Sequence, residues 1–132
     1  MMQGLNYRFR GRVLFGTEWR YGSLIQSGGQ CWIVQPGGKN ETRITAVEPR
    51  SIGLSTGFYD RNGKEIFEND ILMLNSGKAV HVRLVSNGIG FQMLYVNTRE
   101  MNPLSVIFDE YGSNNVKVVG NSMKIRDPKG VG

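Results

Sequence analysis

Five side chains able to move protons or hold a cation crowd the middle of the sequence: Asp60, Glu65, Glu68 and Asp70, then His81. Neighbouring carboxylates serve general acid–base chemistry and, in sufficient number, bind hard cations through oxygen. Asp60-Arg61-Asn62-Gly63 has the outline of a calcium-binding loop, but the register fails. With Gly63 at that loop's invariant glycine, Phe58 takes the first ligand position, Glu65 an apolar position, and Asn69 the place of the bidentate glutamate. Turn formation accounts for the same residues, since Asp and Asn bond their own backbone in turns. The carboxylates are therefore expected at turns and solvated strand ends, balanced by Arg61 and Lys64. A hydrolytic centre would need all five groups in one pocket, and successive turns should splay them.

The remaining reactive residues are isolated. His81 is the only histidine and Cys31 the only cysteine. Cys31 lies in an apolar run with no basic neighbour to lower its pKa, the setting of a buried small hydrophobe. No nucleophile–base pair and no glycine loop leading into a helix can be read, so the sequence predicts no catalytic site, no metal site and no cofactor. One charged pattern stands out. Residues 7–13 alternate strictly, sending Tyr7, Phe9 and Val13 to one strand face and Arg8, Arg10 and Arg12 to the other. Such guanidinium groups sit about 7 Å apart, and Arg20 on the next strand is expected to extend the row. The row suits a phosphate backbone. It equally suits a solvated face guarded against edge pairing, the more economical reading, because no exposed aromatic platform is evident on that face.

The elements that position these residues are strands. Eighteen glycines in 132 residues, scattered between apolar runs, indicate many short strands and tight turns. Residues 18–25 form a second strand with Trp19, Tyr21 and Ile25 on one face. Residues 31–34 form a short strand with no polar alternation, expected to be buried on both sides. Residues 43–47 resume the β pattern. Gly63 supplies the positive φ that a bulged type I turn requires before residues 64–67 return as a second arm. Residues 71–74 are an apolar strand. Val80, Val82 and Leu84 face inward and pair with Ile89, Phe91, Met93 and Tyr95 across Asn87-Gly88, a strong hairpin signal. One short helix is predicted, with Asn102 as N-cap, Pro103 at the first helical position and Leu104, Ile107, Phe108 and Tyr111 along one stripe. Residues 116–119 are a last strand, and residues 127–132 a frayed tail.

Composition bounds the setting. With 39% hydrophobic residues the chain can offset its ordering entropy. A single cysteine points to a reducing compartment, and neither a leader segment nor a membrane-length apolar run is present. The formal charge of +5 makes an acidic partner, nucleic acid included, a candidate. The chain is expected to form one compact unit over residues 1–132, with an N-terminal antiparallel β portion at 1–54, a barrel-like portion at 55–121 and a tail at 122–132.

Residues 55–71, Ser-Thr-Gly-Phe-Tyr-Asp-Arg-Asn-Gly-Lys-Glu-Ile-Phe-Glu-Asn-Asp-Ile, resemble the signature of the YopX family, small proteins encoded by bacteriophages, prophages and related mobile elements. Residues 7–11 through 19–25, 47–53 and 116–121 agree with the family in order and spacing. Two departures stand out: Asn69 replaces the usual glycine before Asp70, at a position where a left-handed backbone tolerates Asn, and residues 122–126 replace the customary aromatic and acidic ending. The resemblance implies an all-β fold whose signature region belongs to a small, strongly bent barrel of the Src-homology-3 type, and a home in the bacterial host cytoplasm. It transfers no catalytic or ligand residue. The expected function is that of a non-catalytic accessory protein that binds another protein or itself. The rival is a nucleic-acid binder using Arg8, Arg10, Arg12 and Arg20.

Overall fold

A computed structural model of the chain describes residues 7–84, 91–95, 98, 100–104 and 116–121. Their regular structure is β apart from one 3-10 turn, Pro49–Ser51. The strands are β1 (Phe9–Arg12), β2 (Trp19–Ser27), β3 (Gln30–Pro36), β4 (Thr42–Val47), β5 (Gly53–Tyr59), β6 (Glu65–Phe67), β7 (Asp70–Leu74), β8 (Ala79–Leu84), β9 (Phe91–Tyr95), β10 (Met101–Pro103) and β11 (Val116–Asn121). Every pairing is antiparallel, and the described residues fall into two compact units, one within Met1–Leu54 and the other within Ser55–Ser122.

The first unit is a meander in the order β4-β3-β2-β1, to which Gly53 and Leu54 add beside Arg10 and Phe9. Its interior is small. Cys31, Ile33 and Val47 are buried, with Phe9, Leu24 and Ile52 packed against them. Gly22 permits the close approach of β2 and β3, since a Cβ there would overlap the carbonyl oxygen of Val34. The end of β1 swings across to β4: Val13 bridges Val47, Leu14 N–H donates to the Ala46 carbonyl (3.0 Å), and Glu48 N–H donates to that of Arg12 (2.8 Å). A single bridge joins the two strands there, not a ladder, and the described strands form no closed barrel. The expected double-sided burial of residues 31–34 is corrected. Cys31 and Ile33 point into the core while Trp32 and Val34, on the opposite face, are only half-buried, as the strand's twofold alternation requires.

The second unit has a larger core built from Ile66, Leu72, Leu74, Val80, Val82, Met93, Leu104, Val116 and Val118. Its main sheet runs β10-β9-β8-β7-β11. The hairpin expected across residues 79–95 is present as β8 and β9, with Val80 opposite Tyr95 and Val82 opposite Met93. Its Asn87-Gly88 turn and Ile89 lie outside the described residues. Ahead of it, β5 pairs with β6 through a bulge between Ser55 and Tyr59, stitched by side chains: Thr56 Oγ1 donates to the Ile66 carbonyl (2.7 Å) and accepts from Phe58 N–H (3.1 Å). Gly63 takes the left-handed conformation its turn demands (φ 81°), and so does Asn69 (φ 77°), the residue that departs from the family glycine.

The helix expected to start at Asn102 does not start there. Asn102 and Pro103 belong to β10, opposite Met93 and Gln92, and Leu104 N–H donates to the Phe91 carbonyl (2.9 Å). A proline lacks the N–H that the first turn of a helix leaves unused, and an edge strand leaves it unused equally well. The Asn-Pro signal fits both. Ile107, Phe108 and Tyr111, the rest of the predicted stripe, lie outside the described residues.

Candidate functional site

The arginine-bearing strand and the carboxylate-rich segment are the two places where the sequence gathers chemistry. In the first, pairing decides which side chains meet. Register sets Arg10 opposite Tyr21 and Arg12 opposite Trp19, while Gly11 faces Arg20 and Phe9 faces Gly22. Residues directly opposite share a face, so Trp19 and Tyr21 stand with Arg8, Arg10 and Arg12. Arg20 lies on the other face and does not extend the row. Two aromatic residues, Trp19 and Tyr21, are therefore on the arginine face, half-buried and not as an exposed platform.

The guanidinium of Arg10 lies 4.9 Å from the Trp19 ring centre, and that of Arg8 lies 5.2 Å from the Tyr21 ring centre. Both distances fall within cation–π range. Arg10 is only 5% exposed. Arg12 Nε donates to the Gly16 carbonyl (2.8 Å), and Arg20 pairs with Glu18 at 3.5 Å. The expected evenly solvated row is thus corrected: Arg8 stays exposed, Arg10 is buried against a ring, and Arg12 braces the next turn.

Alternation carries the same outer face across β2, β3 and β4. Ile25 pairs with Trp32 and Val34 with Ile44, and Trp32 also pairs with Ala46. Ile25 is 45% and Ile44 59% exposed, with Trp32 and Val34 half-buried beside them. Both tryptophans of the chain therefore lie on the outer face. Local alternation placed Trp19, Tyr21 and Ile25 together but gave no offset to β1. The available signal was glycine: Gly11 and Gly22 share the parity of Phe9 and Leu24, marking the closely packed inner face.

In the second region two of the carboxylates are buried, and Asp60, Asp70 and Glu65 accept hydrogen bonds within the chain. Asp60, 3% exposed, accepts three backbone hydrogen bonds: from Asn62 and Lys64 at Oδ1 (both 2.8 Å) and from Val118 at Oδ2 (2.9 Å). Burial pushes its carboxyl up, but the N–H groups of Val118, Lys64 and Asn62, with the Lys64 charge, outweigh burial and hold it below its ordinary 3.8. Asp70, 1% exposed, accepts from Phe67 N–H (2.8 Å), and Glu65 accepts from the Ser55 hydroxyl (2.6 Å). Glu68 is half-buried at the corner before β7. The solvated placement expected for these residues is thus corrected at Asp60 and Asp70, because backbone donors replace water around them. His81 lies on β8 opposite Ile71 and Leu94, and burial, then the charge of Arg83, hold it below its ordinary 6.5. Cys31 is buried, with Gln26 Nε2 3.8 Å from its sulfur.

Among the described residues no three of His, Cys, Asp and Glu come together as metal ligands would, and no helix is long and apolar enough to cross a membrane. Val118 N–H and the Val116 carbonyl, bonded to Asp60 and to Arg61 N–H (3.0 Å), lie on the side of β11 away from β7. The turn at Asp60 therefore covers the strand that stands at the edge of the sheet among the described residues. The residues that give the central segment its distinctive pattern build this corner.

No curated protein matches the chain. The family model described as YopX protein matches residues 9–124, taking in the arginine strand, the buried carboxylates and β11, and the chain belongs to the YopX family.

Proposed function

We propose that the protein is a non-catalytic binding module, a phage or prophage accessory protein of the bacterial host cytoplasm. It engages another protein, or a second copy of itself, through the outer face of its first unit. The observation carrying this reading is the apolar strip Ile25, Trp32, Val34 and Ile44, whose two isoleucines stand about half exposed at its ends. Contiguous apolar surface of this kind marks interaction sites. We also assign the bending of a Src-homology-3-type barrel to this unit and not to residues 55–121. The support is a meander of four strands, a 3-10 turn before β5, and the Val13–Val47 bridge.

Replacing Ile44 by Glu tests the reading. The position is exposed, so thermal stability should stay within the small range of surface substitutions. Self-association measured by sedimentation, or capture of a protein from nuclease-treated host lysate, should fall at least tenfold. Unchanged association and capture would remove the outer face as the binding surface.

A second reading, nucleic-acid binding, is favoured by charge: residues 1–54 hold seven Lys and Arg against three Asp and Glu. Against it, Arg10 is buried, Arg12 is bonded within the chain, and Arg20 is on the other face and paired. DNA or RNA affinity that falls steeply with salt, and drops on alanine replacement of Arg8, Arg10, Arg12 and Arg20, would establish it. No binding at low salt would remove it.

A further inference from the structure

Asn62 is followed by Gly63. An asparagine so placed is the kind most prone to lose its side-chain ammonia, because glycine leaves its own nitrogen unshielded. The reaction needs no catalyst. The Gly63 nitrogen bonds to Asn62 Cγ and gives up its proton, the Cγ–Nδ2 bond breaks, and ammonia leaves with that proton. Water then opens the five-membered imide. Opening at Cγ yields aspartate. Opening at the original main-chain carbonyl yields isoaspartate, whose backbone runs through Cβ and Cγ and is one atom longer.

The fold leaves one reacting group free and holds the other. Asn62 is exposed, and its carboxamide bonds no described residue. The attacking nitrogen is held: Gly63 N–H donates to the Asp60 carbonyl (2.9 Å). Its neighbours are held as well. Asp60 N–H donates to the Lys64 carbonyl (2.8 Å), Arg61 N–H to that of Val116 (3.0 Å), and the N–H groups of Asn62 and Lys64 to Asp60 Oδ1 (both 2.8 Å). Every main-chain N–H from residue 60 to residue 64 is thus bonded. For the Gly63 nitrogen to reach Asn62 Cγ, the peptide between them must rotate off the Asp60 carbonyl, which opens the turn.

We infer that Asn62 is a modification site gated by the fold, with water as the co-reactant. It persists while the Asp60 turn is closed, and its conversion to isoaspartate in an opened chain keeps the turn from closing again. The added backbone atom falls between the N–H groups of residues 62 and 64, which Asp60 Oδ1 receives together, so one oxygen no longer meets both at hydrogen-bond distance. Oδ2 of the same carboxylate receives Val118 N–H (2.9 Å), so the outer side of β11 is released with the turn. A passing opening becomes a permanent loss of the corner.

The test follows deamidation of the full chain by peptide mass mapping, folded and in guanidinium chloride, at the same mildly alkaline pH. In guanidinium, Asn62 and Asn87, each followed by glycine, should convert at similar rates and set the intrinsic value. In the folded chain Asn62 should convert at least tenfold more slowly, because only opened molecules react. Equal rates for Asn62 in the two conditions would overturn the gate. The Asn87→Gln chain, aged in guanidinium and returned to buffer, tests the second half. Molecules carrying isoaspartate at position 62 should fail to refold or melt below unaged molecules of the same variant. Asn62→Asp, which supplies the product's charge without its extra atom, should melt above them. Isoaspartate chains that melt with the unaged ones, or an Asn62→Asp chain that melts no higher than they do, would overturn the block on closing.

Discussion

The two units handle buried charge in opposite ways. In the second, Asp60 and Asp70 sit in the interior as acceptors for backbone N–H groups, so their charge organises main chain. In the first, Arg10 is buried against the ring of Trp19, on the face that also carries the exposed Ile25 and Ile44. A carboxylate with three fixed donors holds one geometry, whereas an arginine stacked on an indole contributes packing and leaves the strand's own ladder untouched. The carboxylate-rich segment bonds the protein's own main chain, and the exposed apolar residues lie on the arginine strand's side of the first unit.

The largest effect that would sharpen this contrast is expected from Asp60→Ala. Removing the carboxylate strands three buried or half-buried N–H groups, and stability measured by urea unfolding should drop by about 3 kcal/mol or more. A loss under about 1 kcal/mol would mean that water replaces the carboxylate and that the corner is not organised by it. Arg10→Ala should cost less, about 1–2 kcal/mol, from the lost ring contact and buried methylenes. A loss equal to that of Asp60→Ala would erase the distinction between the units. Acid titration gives the smallest effect and tests the sign. A carboxyl held below 3.8 contributes stability that is complete above that value and disappears as pH falls through its lower folded value. Asp60→Asn should flatten this limb. His81, lowered by burial and Arg83, binds protons more readily unfolded, so its contribution is complete above 6.5 and declines as pH falls below it. His81→Gln should remove the decline between pH 7 and 5.

Much of the strand architecture is legible in the sequence because its signals are local. Alternation identifies the faces of β1, β8 and β9, turn chemistry places Gly63 in the left-handed region, and the family resemblance, which has glycine before Asp70, places Asn69 there too, as found. What escaped is the relation between elements. Alternation shows that Trp19 and Tyr21 share a face but not which face of β1 they join, and a shift of one residue exchanges the answer. The same gap hid the burial of Arg10, since an arginine alternating with apolar residues reads as solvated until an aromatic neighbour is placed over it. Pro103 misled because helix starts and edge strands both spare its missing N–H.

The bond from Val118 N–H to Asp60 spans 58 positions, and this has a consequence for how the chain is made. Asp60 and its local donors, Asn62 and Lys64, leave the ribosome together and can close their turn at once. The second carboxylate oxygen then waits for a strand synthesised later by roughly three to twelve seconds at ordinary elongation rates. During that interval β7 lacks its outer neighbour, and the nascent chain presents an open strand edge that another chain could occupy. When β11 arrives, Asp60 and Arg61 are the groups that bond its far side, so the strand covers the edge that the incomplete chain leaves open and one turn covers the strand.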